Sequence, residues 1–130
     1  NWDSEMAEEM LKIFGLNEED IIDNLSKGNI ARVKLIIGFA QKPEYLLLDE
    51  PFSGIDFFKR EEFISLIPEY MNEDQAIVIT THEISDIENI VDDVIFIDEG
   101  KLVMNINAEE LRERENLSIL EKMREVYQNE

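Results

Sequence analysis

The residues best placed to do chemistry are two adjacent carboxylates, Asp49 and Glu50, which close the apolar run Tyr45-Leu46-Leu47-Leu48 and are followed at once by Pro51. A run this short and this hydrophobic predicts a strand buried on both faces, as in the interior of a parallel sheet. Its acids then stand at the strand's C-terminal end, the sheet edge where loops and helix N-termini converge and ligands bind. Two carboxylates side by side there suit a division of labour, one neutralising a cation and the other orienting a water; the plainer alternative is that they open a polar loop. The single histidine, His82, follows a second apolar run, Ala76-Ile77-Val78-Ile79-Thr80. A helical stretch lies between the two runs, so Tyr45 to Thr80 reads as a βαβ unit with parallel strands and a right-handed crossover. That topology brings His82 past the same sheet edge as Asp49 and Glu50.

Two further clusters flank this unit. Upstream, Leu25-Ser26-Lys27-Gly28-Asn29 precedes a helical segment in which Ile30, Val33, Ile37 and Ala40 share a face until Pro43 forbids continuation. Ser26 with Asn29 three places on is an N-cap pattern. The same geometry, a hydroxyl, a glycine and unpaired N–H groups at a positive helix end, also makes a phosphate-binding surface. Downstream, Ser53-Gly54-Ile55-Asp56 supplies a turn at Gly54 and, in Asp56, a cap for the helix carrying Phe63, Ile64, Ile67 and Tyr70. Pro68 should kink or end that helix.

In this order and spacing, the Ser26 cluster, the Asp49-Glu50 strand, the Asp56 loop and Thr80-Thr81-His82-Glu83 resemble the signature motif, Walker B strand, D-loop and switch histidine of the ATP-binding-cassette (ABC) ATPases. The resemblance covers nearly the whole chain. It implies an α/β fold, a partial P-loop NTPase fold with a mainly parallel sheet, flanking helices, and a C-terminal hairpin and helices. It implies that Asp49 holds Mg²⁺ through water and that Glu50 and His82 are catalytic, acting on the water that attacks the γ-phosphate of ATP. It puts Ser26, Lys27, Gly28 and Asn29 on the ATP bound by an opposing subunit, and Asp56 at the interface between two ATPase domains. Lys27 stands where the family generally has Gly, Asn29 where it generally has Gln, and Arg32 where it often carries Arg.

The resemblance further implies a second ABC ATPase domain as partner, in a homodimer or heterodimer, together with membrane-spanning transporter subunits. The expected place is cytoplasmic, on the inner face of the cell membrane. A soluble ABC ATPase acting on ribosomes or DNA, and a non-enzymatic interaction module of the same fold, are the competing readings. No GxxxxGK[ST] stretch occurs in these residues, so the expectation is the C-terminal half of an ABC ATPase, without the P-loop and inactive alone. In the family topology the P-loop strand lies between the His82 strand and the next one. Its absence predicts an open groove, direct pairing of those two strands, or occupation by another copy's edge strand.

Composition bounds these readings. The chain has 130 residues, is 44% hydrophobic and carries a formal net charge of −19. It is long enough to bury a core, but its charge is repelled by phosphate backbones, which disfavours direct nucleic-acid binding. There is no cysteine, which excludes disulfides and thiolate metal sites. No apolar run approaches the roughly 20 residues that span a bilayer. The chain begins with Asn1 rather than Met, which is the expectation for a fragment or a processed N-terminus.

The remaining elements frame the site. Residues 2–14 predict an amphipathic helix with Trp2, Met6, Met10 and Ile13 on one face and Gly15 as C-cap. Asn17 is positioned to cap a short helix through Ile21 and Ile22. A helix from Ile84 to Val91 leads to the strand Val94-Ile95-Phe96-Ile97-Asp98, a turn at Glu99-Gly100 and a return strand, which together read as a hairpin. Asn107 with Glu110, and Ser118 with Glu121, are capping-box patterns for two closing helices. Leu120, Met123 and Tyr127 form an apolar stripe on the last, expected to pack on the sheet. Three regions follow: residues 1–42 as part of a helical subdomain, 43–106 as half of the ATPase core, and 107–130 as C-terminal helices.

Overall fold

The computed structural model describes residues 2–128. The chain divides into two compact units, Asn1–His82 and Glu83–Glu130. Every candidate site residue belongs to the first.

In the first unit, α1 (Ser4–Phe14) is capped by Asp3, whose side chain accepts from the Met6 N–H, and ends at Gly15 in the left-handed conformation, φ 64°. The buried face is Ala7, Met10 and Phe14, while Trp2 and Ile13 are exposed. The core side of α1 is therefore rotated from the expected stripe. Asn17 does not cap a helix. Its N–H donates to Asp20 and its carbonyl accepts from the Asp20 N–H, a local turn that leaves only a short 3-10 turn at Ile22–Asn24, with Ile21 and Ile22 exposed.

Helix α2 (Lys27–Ala40) begins at the Ser26 cap and buries Arg32, Leu35, Ile36, Phe39 and Ala40. Ile37 is exposed, so the inward face is offset by one position from the expected one. Gly38 lets α2 approach the first strand closely, because a Cβ there would stand 3.2 Å from Leu46 Cδ1. Strand β1 (Tyr45–Asp49) pairs in parallel with β2 (Ala76–Thr80) in the register Leu47↔Val78 and Asp49↔Thr80. The helix between them, α3 (Phe57–Tyr70), runs two residues beyond Pro68. The proline sits in the last turn, where the helix has few bonds left to lose.

The strands are not buried on both faces as their sequences predicted. Leu46 is buried, but Tyr45, Leu47 and Val78 are 65%, 73% and 53% exposed. Helical residues of the unit cover one face of the two-stranded sheet and leave the other open. The interior on the covered side joins three helices through one cluster. The Phe14 and Phe63 rings lie 4.6 Å apart, and the buried Arg32 guanidinium sits 5.8 Å and 5.6 Å from their centroids.

The second unit is built on the antiparallel hairpin β3 (Asp93–Asp98) and β4 (Lys101–Asn107). Glu99 and Gly100 both take positive φ, 45° and 73°, the conformation of a two-residue turn whose twist matches the strands. The preceding helix, α4, spans only Ile84–Ile87 and lacks a side-chain cap. The hairpin is by itself a two-stranded sheet. Asn107 caps α5 (Ala108–Glu110), which runs on as a π-helical turn at Leu111–Glu115.

Helix α6 (Ile119–Gln128) starts at a complete capping box: Ser118 N–H donates to Glu121 Oε2 at 2.7 Å, and Glu121 N–H to Ser118 Oγ at 3.1 Å. Phe96, Ala108, Leu111 and Ile119 form the core of this unit, with Met123 and Val126 against it. Ile119, not Leu120, anchors the inward stripe. Tyr127 Oη donates to the Ile97 carbonyl at 2.9 Å.

Two expectations test these contacts. Phe63→Ala removes a side chain only 2% exposed and should destabilise the first unit by about 3–5 kcal/mol in urea unfolding. The Ser118 hydrogen bonds, first the backbone N–H and then the hydroxyl, hold the Glu121 carboxyl below its ordinary value. A depressed folded-state pKa contributes stability above the unfolded value and loses it as pH falls through the folded value. The NMR titration midpoint of Glu121 should therefore rise in Ser118→Ala, and the variant's stability deficit should shrink in acid to the part that comes from the lost cap on the Glu121 N–H, which does not titrate.

Candidate functional site

Parallel pairing is what assembles the site. Asp49 and Thr80 are register partners at the last rung of β1 and β2, so the residues that follow each strand emerge together. Thr80 Oγ1 donates to Asp49 Oδ1 at 2.5 Å. The Glu50 N–H donates to the Thr80 carbonyl at 3.0 Å and lies 3.1 Å from Thr80 Oγ1. Glu50 then turns out of the strand with φ 43°, a conformation that glycine adopts easily and other residues rarely do. Its Oε1 lies 2.8 Å from His82 Nδ1. The side chains stay open to solvent, 75% exposed for His82 and 39% for Glu50, so the pair is accessible to a ligand.

An ionised carboxylate only accepts hydrogen bonds. The Nδ1 of His82 is therefore the donor to Glu50, and in the neutral ring Nε2 carries the lone pair. Glu50 Oε2 remains available to a water. Asp49 Oδ1 is occupied by the Thr80 hydroxyl and Oδ2 is the available oxygen. Among the described residues no group of three or more acids and histidines converges as a metal cage. One available carboxylate oxygen is what Mg²⁺ asks of a protein, since that ion takes one or two carboxylates and fills its shell with water and phosphate oxygens. Thr80 is the residue that the sequence reading missed. Its only signal was its place as the last residue of the strand before His82, and only the register shows that it touches both acids.

The Ser26 cluster and Asp56 form a separate feature. Both act as helix caps: Ser26 Oγ accepts from the Asn29 N–H at 3.2 Å, and Asp56 Oδ1 from the Lys59 N–H at 3.2 Å. A capping hydroxyl keeps its own O–H to donate, so capping leaves Ser26 able to bind an anion. Ser26, Lys27, Gly28, Asn29 and Asp56 line one cavity of about 330 Å³, together with Arg32 and Lys59. Lys27 also borders a second cavity of about 570 Å³ that reaches Asp49 and Glu50.

No protein-family model matches the chain. It is 32% identical over 111 residues to the energy-coupling factor transporter ATP-binding protein EcfA2 of Lactobacillus delbrueckii subsp. bulgaricus, covering 82% of this chain and 38% of that protein. It is 31% identical over 113 residues to the ABC transporter ATP-binding protein YtrB of Bacillus subtilis, covering 86% of this chain and 39% of that one. The chain belongs to the ABC transporter ATP-binding proteins. A solved ATP-binding subunit of an ABC transporter superposes on 96% of the chain with TM-score 0.78 at 20% identity, which shows the shared fold, and 52% of that subunit is covered. The chain thus spans about two fifths of these two curated relatives and about half of the solved subunit.

The Glu50–His82 contact has a direct readout. In wild type, ¹⁵N–¹H correlation of the imidazole should show the Nδ1-protonated tautomer of neutral His82. Glu50→Gln, whose amide can also donate, should shift the balance toward Nε2–H. An unchanged tautomer would remove the hydrogen bond from the site's description.

Proposed function

We propose that this chain is the catalytic half of an ATP-hydrolysing subunit of an ABC transporter, working with a second ATPase domain that closes on it across bound ATP. The observation that carries this reading is the Glu50–His82 pair at 2.8 Å, next to Asp49 at the C-terminal end of two parallel strands. Hydrolysis needs a water held in line with the bond to be broken, and an acceptor for its proton. Glu50 Oε2 supplies the acceptor. His82 fixes Oε1 and so fixes the direction in which Oε2 points. Asp49 would hold Mg²⁺ through its available oxygen; the ion, when bound, neutralises phosphate charge. Ser26 and Gly28 serve the triphosphate held by the opposing domain. A Cβ at Gly28 would meet no neighbouring atom closer than 4.0 Å, so internal packing does not demand glycine there, whereas close approach of a phosphate from outside does.

The open faces and edges of the two-stranded sheets fit the same reading, since in this proposal the P-loop half completes the sheet and supplies the nucleotide cradle. Membrane-spanning transporter subunits are the proposed partners, with the ATPase peripheral on the cytoplasmic face of the membrane. No helix among the described residues is long and apolar enough to cross a membrane itself. The net charge of −19 favours this over a role on ribosomes or DNA, whose phosphates would repel the chain.

The test is Mg²⁺-dependent ATP turnover by the product of the full open reading frame that contains these residues. Wild type should turn over, Glu50→Gln should lose about 10²-fold or more, and the 130-residue chain alone should show none. Normal turnover in Glu50→Gln would overturn the assignment.

A further inference from the structure

Thr80 is exposed and ends β2 on the same face as Ala76 and Val78, since side chains alternate along a strand. The strand asks for a β-branched residue there, and valine, which threonine matches in shape, would serve the fold as well. What valine lacks is the hydroxyl, and that hydroxyl is engaged both as donor and as acceptor. A threonine hydroxyl has a single proton to donate and lone pairs to accept with. Here the proton goes to Asp49 Oδ1 at 2.5 Å, and Oγ1 accepts from the Glu50 N–H at 3.1 Å. The same N–H reaches the Thr80 carbonyl at 3.0 Å, a three-centre bond. One side chain thus joins the two acids, touching the carboxylate of the first and the backbone of the second. The second is also the residue that leaves β1 with φ 43°, a conformation that glycine holds without help and glutamate does not.

We propose that Thr80 is a positioning residue for ATP hydrolysis, its hydroxyl clasping Asp49 and Glu50 in the geometry that their two tasks need. The assignment rests on the reading above, in which Asp49 holds Mg²⁺ through its available oxygen and Glu50 accepts the proton of the attacking water. At Asp49, a short hydrogen bond to a charged acceptor is of the strong kind. It fixes the rotamer of the carboxylate and leaves Oδ2 as the available oxygen. At Glu50, two acceptors on one residue hold the N–H while the backbone turns, and the side chain then leaves toward His82, 2.8 Å from its Nδ1. Neighbouring carboxylates repel each other. The Thr80 hydroxyl offsets that repulsion by holding one of them at a fixed point.

The test uses the product of the full open reading frame as wild type, Thr80→Val and Thr80→Ser. Val keeps the shape of the side chain and puts a methyl where Oγ1 stands, whereas Ser keeps the hydroxyl. In Thr80→Val, kcat should fall about tenfold or more while the KM for ATP stays within about twofold. The Mg²⁺ concentration at half-maximal rate should rise about threefold or more, a change that loss of folded protein alone does not produce. Thr80→Ser should recover most of the rate and the wild-type Mg²⁺ requirement. In protein free of nucleotide and Mg²⁺, the Asp49 Hα–Hβ couplings should report one χ1 rotamer in wild type and Thr80→Ser, and an average over rotamers in Thr80→Val. Unchanged kcat and Mg²⁺ requirement in Thr80→Val, beside a loss in Glu50→Gln, would overturn the role of Thr80 and leave the hydrolytic reading standing. A single Asp49 rotamer in Thr80→Val, or equal losses in Thr80→Val and Thr80→Ser, would overturn it as well. Normal turnover in Glu50→Gln would instead overturn the hydrolytic reading, and the role of Thr80 with it.

Discussion

The first unit depends on the parallel register of β1 and β2. Side chains alternate along a strand, so a slip of one residue would move every side chain to the opposite face. With Asp49 opposite Thr80, the threonine hydroxyl meets the Asp49 carboxylate, the Glu50 N–H finds the Thr80 carbonyl, and Glu50 and His82 leave their strands close enough to pair. With any other register the same residues would still stand at strand ends, yet not within hydrogen-bond reach. The buried Gln75, just ahead of β2, helps set that register from the other end by donating to the Pro43 carbonyl at 2.9 Å.

Arg32 does for the helices what the register does for the strands. Its guanidinium satisfies the carbonyl of Phe14, the last residue of α1, one of the groups a helix C-terminus leaves without an internal partner. It also lies near the Phe14 ring and the Phe63 ring of α3, an arrangement worth about 2 kcal/mol when desolvated. Burying a charge without a carboxylate is costly, and the cation–π contacts and two hydrogen bonds offset that cost. The result is that the start of α2, where the Ser26–Asn29 cluster lies, is fixed to the core instead of projecting from it.

Both sheets leave apolar residues in water. Tyr45, Leu47 and Val78 in the first unit, and Ile95, Ile97 and Leu102 in the second, are each more than half exposed. Two-stranded sheets are marginal by themselves and gain stability from further strands or a covering layer. The chain spans between about a fifth and two fifths of the curated relatives it matches, and its strand sequences carry the composition of an interior sheet.

That composition marks the boundary between what was legible in the sequence and what was not. The element order, the parallel and hairpin pairings, the Ser26, Asp56, Asn107 and Ser118 caps and the family membership all follow from local pattern: caps, turns and short motifs are decided by residues within a few positions of one another. The sequence also placed Asp49, Glu50 and His82 at one sheet edge, because alternation of strand and helix nearly dictates parallel pairing. Burial could not be read this way. The apolar runs 45–48 and 76–79 predicted strands covered on both faces, but covering is a property of neighbours, and one face here has none within its unit. The inward faces of α1, α2 and α6 shifted by one position or so because packing, not helical periodicity alone, selects between adjacent apolar stripes. Thr80's link to both acids, Arg32's burial between two rings and the gathering of Lys27 with Lys59 were decided by tertiary structure alone, since each joins residues that only folding brings together.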